Sequence, residues 1–153
     1  MNWDVFTKLS SLQIQLHWAT VSIAFFIGIT IFVMRKGTSI HKALGRIFVL
    51  LMFVTSGAAF FIRSGRIENP GLFEGFTPIH LFIPLTVLGS IWGVINIRRG
   101  NVRGHASTMI GVFMGALIIA GVFTFLPGRR MHLLFFGDKA DIEQRVDSSS
   151  TED

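Results

Sequence analysis

Residues 9–63 read LSSLQIQLHWATVSIAFFIGITIFVMRKGTSIHKALGRIFVLLMFVTSGAAFFIR, and this stretch decides the fold. Leu9–Met34 passes without an Asp, Glu, Lys or Arg, and Ile47–Ile62 does the same on the far side of a short basic connection. A helix needs about 20 mostly apolar residues to cross the hydrocarbon of a bilayer. The first run meets that length. The second meets it when its helix starts near His41, which Ala43-Leu44-Gly45 permits. Two such runs joined by so few residues form a helical hairpin across a membrane.

The rest of the chain repeats the pattern. Gly75–Ile97 and Gly104–Gly128 are also free of charge, and only 15% of all residues are charged. The spacing predicts helices over 12–34, 41–62, 77–97 and 105–126. The connections Arg35–Ile40, Arg63–Phe76 and Arg98–Gly104 are short, so successive helices are antiparallel neighbours. The expected fold class is therefore all-α, an integral membrane four-helix bundle running up-down-up-down. One domain covers residues 1–137. Residues 138–153 form an acidic tail ending SSSTED, a composition that favours disorder.

Charge distribution gives an orientation. The chain carries a formal net charge of +5. Arg35, Lys36, Lys42 and Arg46 flank the first connection, and Arg98, Arg99 and Arg103 flank the third. The positive-inside rule places these two connections in the cytoplasm and both termini on the non-cytoplasmic side. It accounts for the basic balance without nucleic acid. The bilayer is the expected environment, as in a bacterial inner membrane. No basic start or small-residue cleavage site marks segment one as a removable signal peptide. The chain has no cysteine, which excludes disulfides, covalently attached c-type haem and cysteine-held iron–sulfur clusters.

Each expected helix opens with a histidine: His17, His41, His80 and His105. Up-down topology sorts them into His17 with His80 at one surface and His41 with His105 at the other. A histidine inside a membrane segment is a functional hypothesis, because an unpartnered polar ring there is costly. The plain alternative is an interfacial histidine reaching the headgroups, and topology alone then produces the same two pairs. Neighbouring helices about 8–10 Å apart leave diagonals wide enough for an iron with one imidazole on each side. Zinc wants about four protein ligands, and each pair offers two histidines without a buried carboxylate or thiol. Two haem b groups, or one, fit this ligand set. Gly45 lies one turn after His41 and Gly28 three turns after His17, where a missing side chain makes room for a ring edge. Arg46 and Arg103 on one side, with Arg63 and Arg129 on the other, are candidate propionate partners; their alternative is topology and headgroup anchoring. Met109 and Met114 read as packing, His132 as interfacial, and Trp3, Trp18 and Trp92 as belt aromatics.

Two resemblances attach to these residues. HKALGR (His41–Arg46) and RRGNVRGHASTM (Arg98–Met109) resemble the signature of a family of four-helix predicted bacterial membrane proteins with no assigned activity. SLQIQLHW (Ser11–Trp18) is similar to the opening of helix one in bacterial inner-membrane di-haem cytochromes b. That resemblance implies a haem-ligand role for His17 and electron transfer from quinol through two bis-histidine haems. If one haem binds, the expected site is His17/His80, which is deeper and carries this motif. Bis-histidine ligation leaves no open iron position and favours electron transfer over oxygen chemistry. The expected function is thus a di-haem b-type membrane cytochrome, an electron-transfer or quinol-oxidising protein rather than a hydrolase or transferase, with a quinol, a redox protein or a larger membrane complex as partner. Two further readings stand beside it. One is a non-enzymatic small subunit or scaffold of a respiratory or photosynthetic complex. The other is a quinone- or lipid-headgroup-binding protein whose site is His41, Arg46, Arg103 and His105.

Overall fold

The computed structural model describes residues 11–62 and 78–125, together with 132, 135 and 136. The connection at 63–77, Arg63, Arg129 and the acidic tail lie outside the described residues.

The chain forms helix α1 over Leu12–Val33, α2 over Ser39–Phe61, α3 over Phe82–Arg98 and α4 over Val102–Thr124. Among the described residues there is no strand. α1, α2 and α4 are each long and apolar enough to cross a membrane. With 17 residues, α3 alone is about 25 Å long. A turn of 3₁₀ helix at Pro78–Leu81 precedes it and adds about 8 Å. This is where the helix expected from residue 77 departs from a uniform α-helix. In lipid every backbone N–H and C=O must be satisfied within the protein, so helices are the only open-ended solution these apolar runs allow.

Local chemistry sets the helix ends. Gly37, with φ 81°, turns the chain between α1 and α2. The Lys36 ammonium folds back and donates to the carbonyls of Ile31 (2.8 Å), Phe32 (2.6 Å) and Met34 (2.9 Å), covering the end of α1. Thr38 caps α2 by accepting the His41 N–H at 3.1 Å. That cap starts α2 two residues before His41, so the histidine lies in the first turn. Gly100, with φ 76°, makes the tight turn from α3 to α4, and Asn101 caps α4 by accepting the Gly104 N–H at 2.9 Å.

α1 packs along α2, and α3 along α4. α2 meets α3, and the middle of α4 returns to α1, which closes the ring. α1/α3 and α2/α4 are therefore the diagonals. The end bearing the two tight turns is called here the basic end, and the opposite one the far end.

Small residues let the helices approach. Thr20, Ala24 and Gly28 form the buried stripe of α1, and the central core is Ala24, Phe48, Met52, Val112, Phe113 and Leu117. Phe113 is the knob of this core. It stacks with Phe25 (centroids 5.9 Å) and meets Phe32 edge-on (4.9 Å). Its ring lies over Gly28, where an added Cβ would come within 2.6 Å of Cδ2. Phe113 opens a π-helical segment, Phe113–Ile119, inside α4. There the Ala120 N–H reaches the Gly115 carbonyl, five residues back. The wider turn keeps Phe113, Gly115 and Leu117 all buried.

Gly28→Ala is expected to destabilise the bundle by about 1–3 kcal/mol through overpacking against Phe113. Gly45→Ala, whose Cβ would meet nothing within 4 Å, should leave stability unchanged or raised. Thermal unfolding in detergent distinguishes them, and equal melting of Gly28→Ala and the parent chain would refute the Phe113 contact.

Candidate functional site

The four helix histidines lie at the two ends of the bundle, all of them half-buried. At the far end, His17 on α1 contacts the Thr55 carbonyl through Nδ1 at 3.0 Å. A carbonyl only accepts, so this nitrogen carries the proton and Nε2 carries the lone pair. Beside it, the Thr55 hydroxyl donates to Thr20 Oγ1 at 2.7 Å. The Thr20 hydroxyl in turn donates to the Leu16 carbonyl at 2.8 Å. His17, Thr20 and Thr55 thus form a polar seam between α1 and α2. His80, in the turn before α3, donates from Nε2 to the Ile62 carbonyl at 3.0 Å. Both far-end rings are anchored on α2, at carbonyls seven residues apart and so about 10 Å apart along its axis.

At the basic end, His105 on α4 donates from Nδ1 to the Gly93 carbonyl of α3 at 2.9 Å. This leaves its Nε2 with the lone pair. Across the diagonal, His41 Nδ1 is buried without a hydrogen-bond partner. His41 and His105 thus stand at the same end of the bundle, in the first turns of α2 and α4. Gly45, one turn deeper on α2, faces open space. Phe48, seven residues after His41 and 4% exposed, belongs to the central core.

Hydrogen bonds tie α3 to the start of α4 at this end. Asn101 Nδ2 donates to Asn96 Oδ1 at 3.0 Å, the Asn101 N–H donates to the Asn96 carbonyl at 2.9 Å, and Asn96 Nδ2 donates to the Trp92 carbonyl at 3.0 Å. Gly104 sits against this pair: a Cβ there would collide with Asn101 Nδ2 and lie 2.8 Å from Asn96 Oδ1. The Thr108 hydroxyl returns to the Gly104 carbonyl at 2.7 Å.

The other candidates divide. Arg46 and Arg103 are exposed at the basic end, near the His41/His105 diagonal in sequence and in height. Gly28 receives the Phe113 ring, whereas Gly45 faces open space. Arg63 and Arg129 lie outside the described residues. Among the described residues no group of three or more His, Cys, Asp or Glu gathers as a metal site. Sequence reasoning passed over Asn96, Asn101, Thr20 and Thr55. For Asn96 a signal existed: an amide inside a charge-free apolar run is costly unless it is bonded.

One family model, described as a predicted membrane protein (DUF2306), matches residues 14–138 of the chain. No curated protein and no solved structure matches it.

A double-mutant cycle on Thr20→Val and Thr55→Val should return a coupling energy of about 0.6 kcal/mol and at most about 1.7, the range for side-chain hydrogen bonds between membrane helices. Additive effects in thermal melts would show that the two hydroxyls act separately.

Proposed function

The chain belongs to that family of predicted membrane proteins, whose match covers all four helices but the first residues of α1, and on that premise we propose that it is a b-type membrane cytochrome. In this reading haem b lies between His41 and His105 at the basic end, and a second haem belongs to His17 and His80. Bound haem supplies a one-electron redox centre, and a chain of two would pass electrons across the bilayer between a quinol and a redox partner.

The observation that carries the reading is His41 Nδ1, a buried ring nitrogen without a partner, in the first turn of α2 at the same end of the bundle as His105 in the first turn of α4. A buried polar atom left unbonded costs about 1–3 kcal/mol, and an iron between the two rings would remove that penalty once the His41 ring presents a nitrogen to it. His105 has the habit of a metal ligand, whose other ring N–H is fixed on a carbonyl so that orientation and tautomer are set. His17 has the same habit. Gly45 leaves room beside His41, and Arg46 and Arg103 are free to pair with propionates. The His17/His80 site rests on the LQIQLHW resemblance. His80 there would have to turn its Nε2 away from the Ile62 carbonyl to offer it to iron.

Orientation completes the reading. All seven Lys and Arg of residues 11–62 and 78–125 lie at the basic end, and none of the nine acidic residues falls in these stretches. This supports placing the basic end in the cytoplasm of a bacterial inner membrane. Because the chain lacks cysteine, Ser11→Cys and Arg99→Cys can each carry one label. A membrane-impermeant maleimide applied to intact cells should modify the first and spare the second; the reverse pattern inverts the topology.

The function is tested by the reduced-minus-oxidised spectrum of detergent-purified protein from haem-sufficient cells. Sharp haem b bands are expected. His41→Ala and His105→Ala should each remove the same haem, while His17→Ala leaves that haem in place. A colourless preparation overturns the reading in favour of a non-enzymatic membrane subunit.

A further inference from the structure

A groove of about 290 Å³ runs along the outer side of the α3–α4 hairpin. Leu85, Thr86 and Gly89 on α3 and Thr108, Gly111, Val112 and Ala116 on α4 line it. It exists because the residues there are small. Gly89 takes the Val112 side chain, where a Cβ would lie 2.7 Å from Cγ2, and Gly111 meets nothing within 4 Å. The Thr108 hydroxyl is spent on the Gly104 carbonyl and Thr86 is only 4% exposed, so the lining offers mainly hydrocarbon contact.

We propose that this groove binds one acyl chain of an anionic phospholipid whose phosphate is held by Arg99 and Arg103. Depth and charge choose this occupant. Thr108 lies five residues below Arg103 and Ala116 thirteen, which places the groove from about 7 to 20 Å beneath the arginine. One leaflet of hydrocarbon is about 15 Å thick. The groove therefore follows a single leaflet, the path of an acyl chain. Arg99 and Arg103 are exposed at the basic end of the two helices that form the groove. With no acidic residue in 11–62 or 78–125, their counter-charge comes from outside these helices. A phosphodiester supplies it at the height where the chain above the groove must end. A parallel second copy would set Arg103 against Arg103. The inference is independent of haem binding.

Trp92 reports on the site. It is 54% exposed on α3, three residues from Gly89. With Trp3→Phe and Trp18→Phe it becomes the sole tryptophan. The full-length chain is reconstituted in phosphatidylcholine vesicles containing a fixed small fraction of either phosphatidylglycerol or phosphatidylcholine with brominated acyl chains. Brominated phosphatidylglycerol should quench Trp92 as though enriched about five-fold, the factor one arginine near an anionic surface is worth. Arg99→Gln with Arg103→Gln should abolish the excess. Gly111→Leu should abolish it too without altering charge, and its side chain enters open space, so circular dichroism and melting should match the parent. Equal quenching by the two lipids overturns the proposal. A phosphatidylglycerol preference that survives Gly111→Leu also does so, because surface charge alone then explains it. Trp92 shielded from both lipids and exposed by Gly111→Leu overturns it in favour of a partner helix.

Discussion

Inside hydrocarbon there is no water to satisfy a polar hydrogen, and this constraint shapes every polar side chain in the bundle. Helix formation uses up the N–H groups but leaves each carbonyl with a second lone pair. The donors find these. His17 takes the carbonyl of Thr55, His80 that of Ile62 and His105 that of Gly93. Thr20, Thr30 and Thr108 bond back into their own helices, and Lys36 closes the end of α1. Ring orientation is thereby inherited from the backbone of the neighbouring helix. A substitution that shifts α2 by a fraction of a turn would re-aim both far-end histidines without touching either. Against this background two buried atoms without partners stand out among the described residues: His41 Nδ1, and Ser90 Oγ on a residue with 0% exposure.

Packing between hairpins depends on small residues meeting one large one. Lipid is as apolar as leucine, so helix association relies on close fit. Phe113 supplies the fit by entering the notch of Phe25, Gly28 and Phe32 on α1. The π-helical segment that begins at Phe113 links this packing to the site. A wider turn there changes the register of everything beyond it on α4, while the Asn96–Asn101 clamp holds everything before it. The basic end, with His105, is thus fixed to α3, and adjustment along α4 is confined to the middle and the far end.

Much of the fold was legible because its signal is length. Charge-free runs of membrane span admit one secondary structure, and the brevity of RKGTSI and RRGNV admits one pairing of neighbours. The start of α2 near His41 could be read because Ala43-Leu44-Gly45 extends the apolar run backwards, and Thr38 then provides the cap. The 3₁₀ start before α3 could not, since a uniform apolar stretch is indifferent to a turn of tighter helix. The site was less legible. Gly28 and Gly45 are the same letter on the same kind of helix, yet one lies under a phenyl ring and the other faces open space. The difference depends on Phe113, eighty-five residues from Gly28 in sequence. The direction of each imidazole was likewise hidden, because it depends on which carbonyl of a neighbouring helix lies at the right height. That is a matter of register, and apolar composition does not encode register.

The two sites proposed for α4 do not compete for the same space. His105 and Gly111 are six residues apart, which sets them about 120° apart around an α-helix. His105 turns to the Gly93 carbonyl of α3, while Gly111 is exposed. A haem on the α2/α4 diagonal and an acyl chain outside the α3–α4 hairpin can therefore coexist. What they share is the ring of arginines and lysines above them. Propionates and a phosphodiester both need cations at that height, and the helices offer seven without an acid to neutralise them. Arg46 stands on α2, on the diagonal, and Arg99 ends α3, beside the groove. Arg103, at the start of α4, lies between the two. Both ligands are anionic and both draw on Arg103, so filling either site weakens binding at the other, and the coupling is negative.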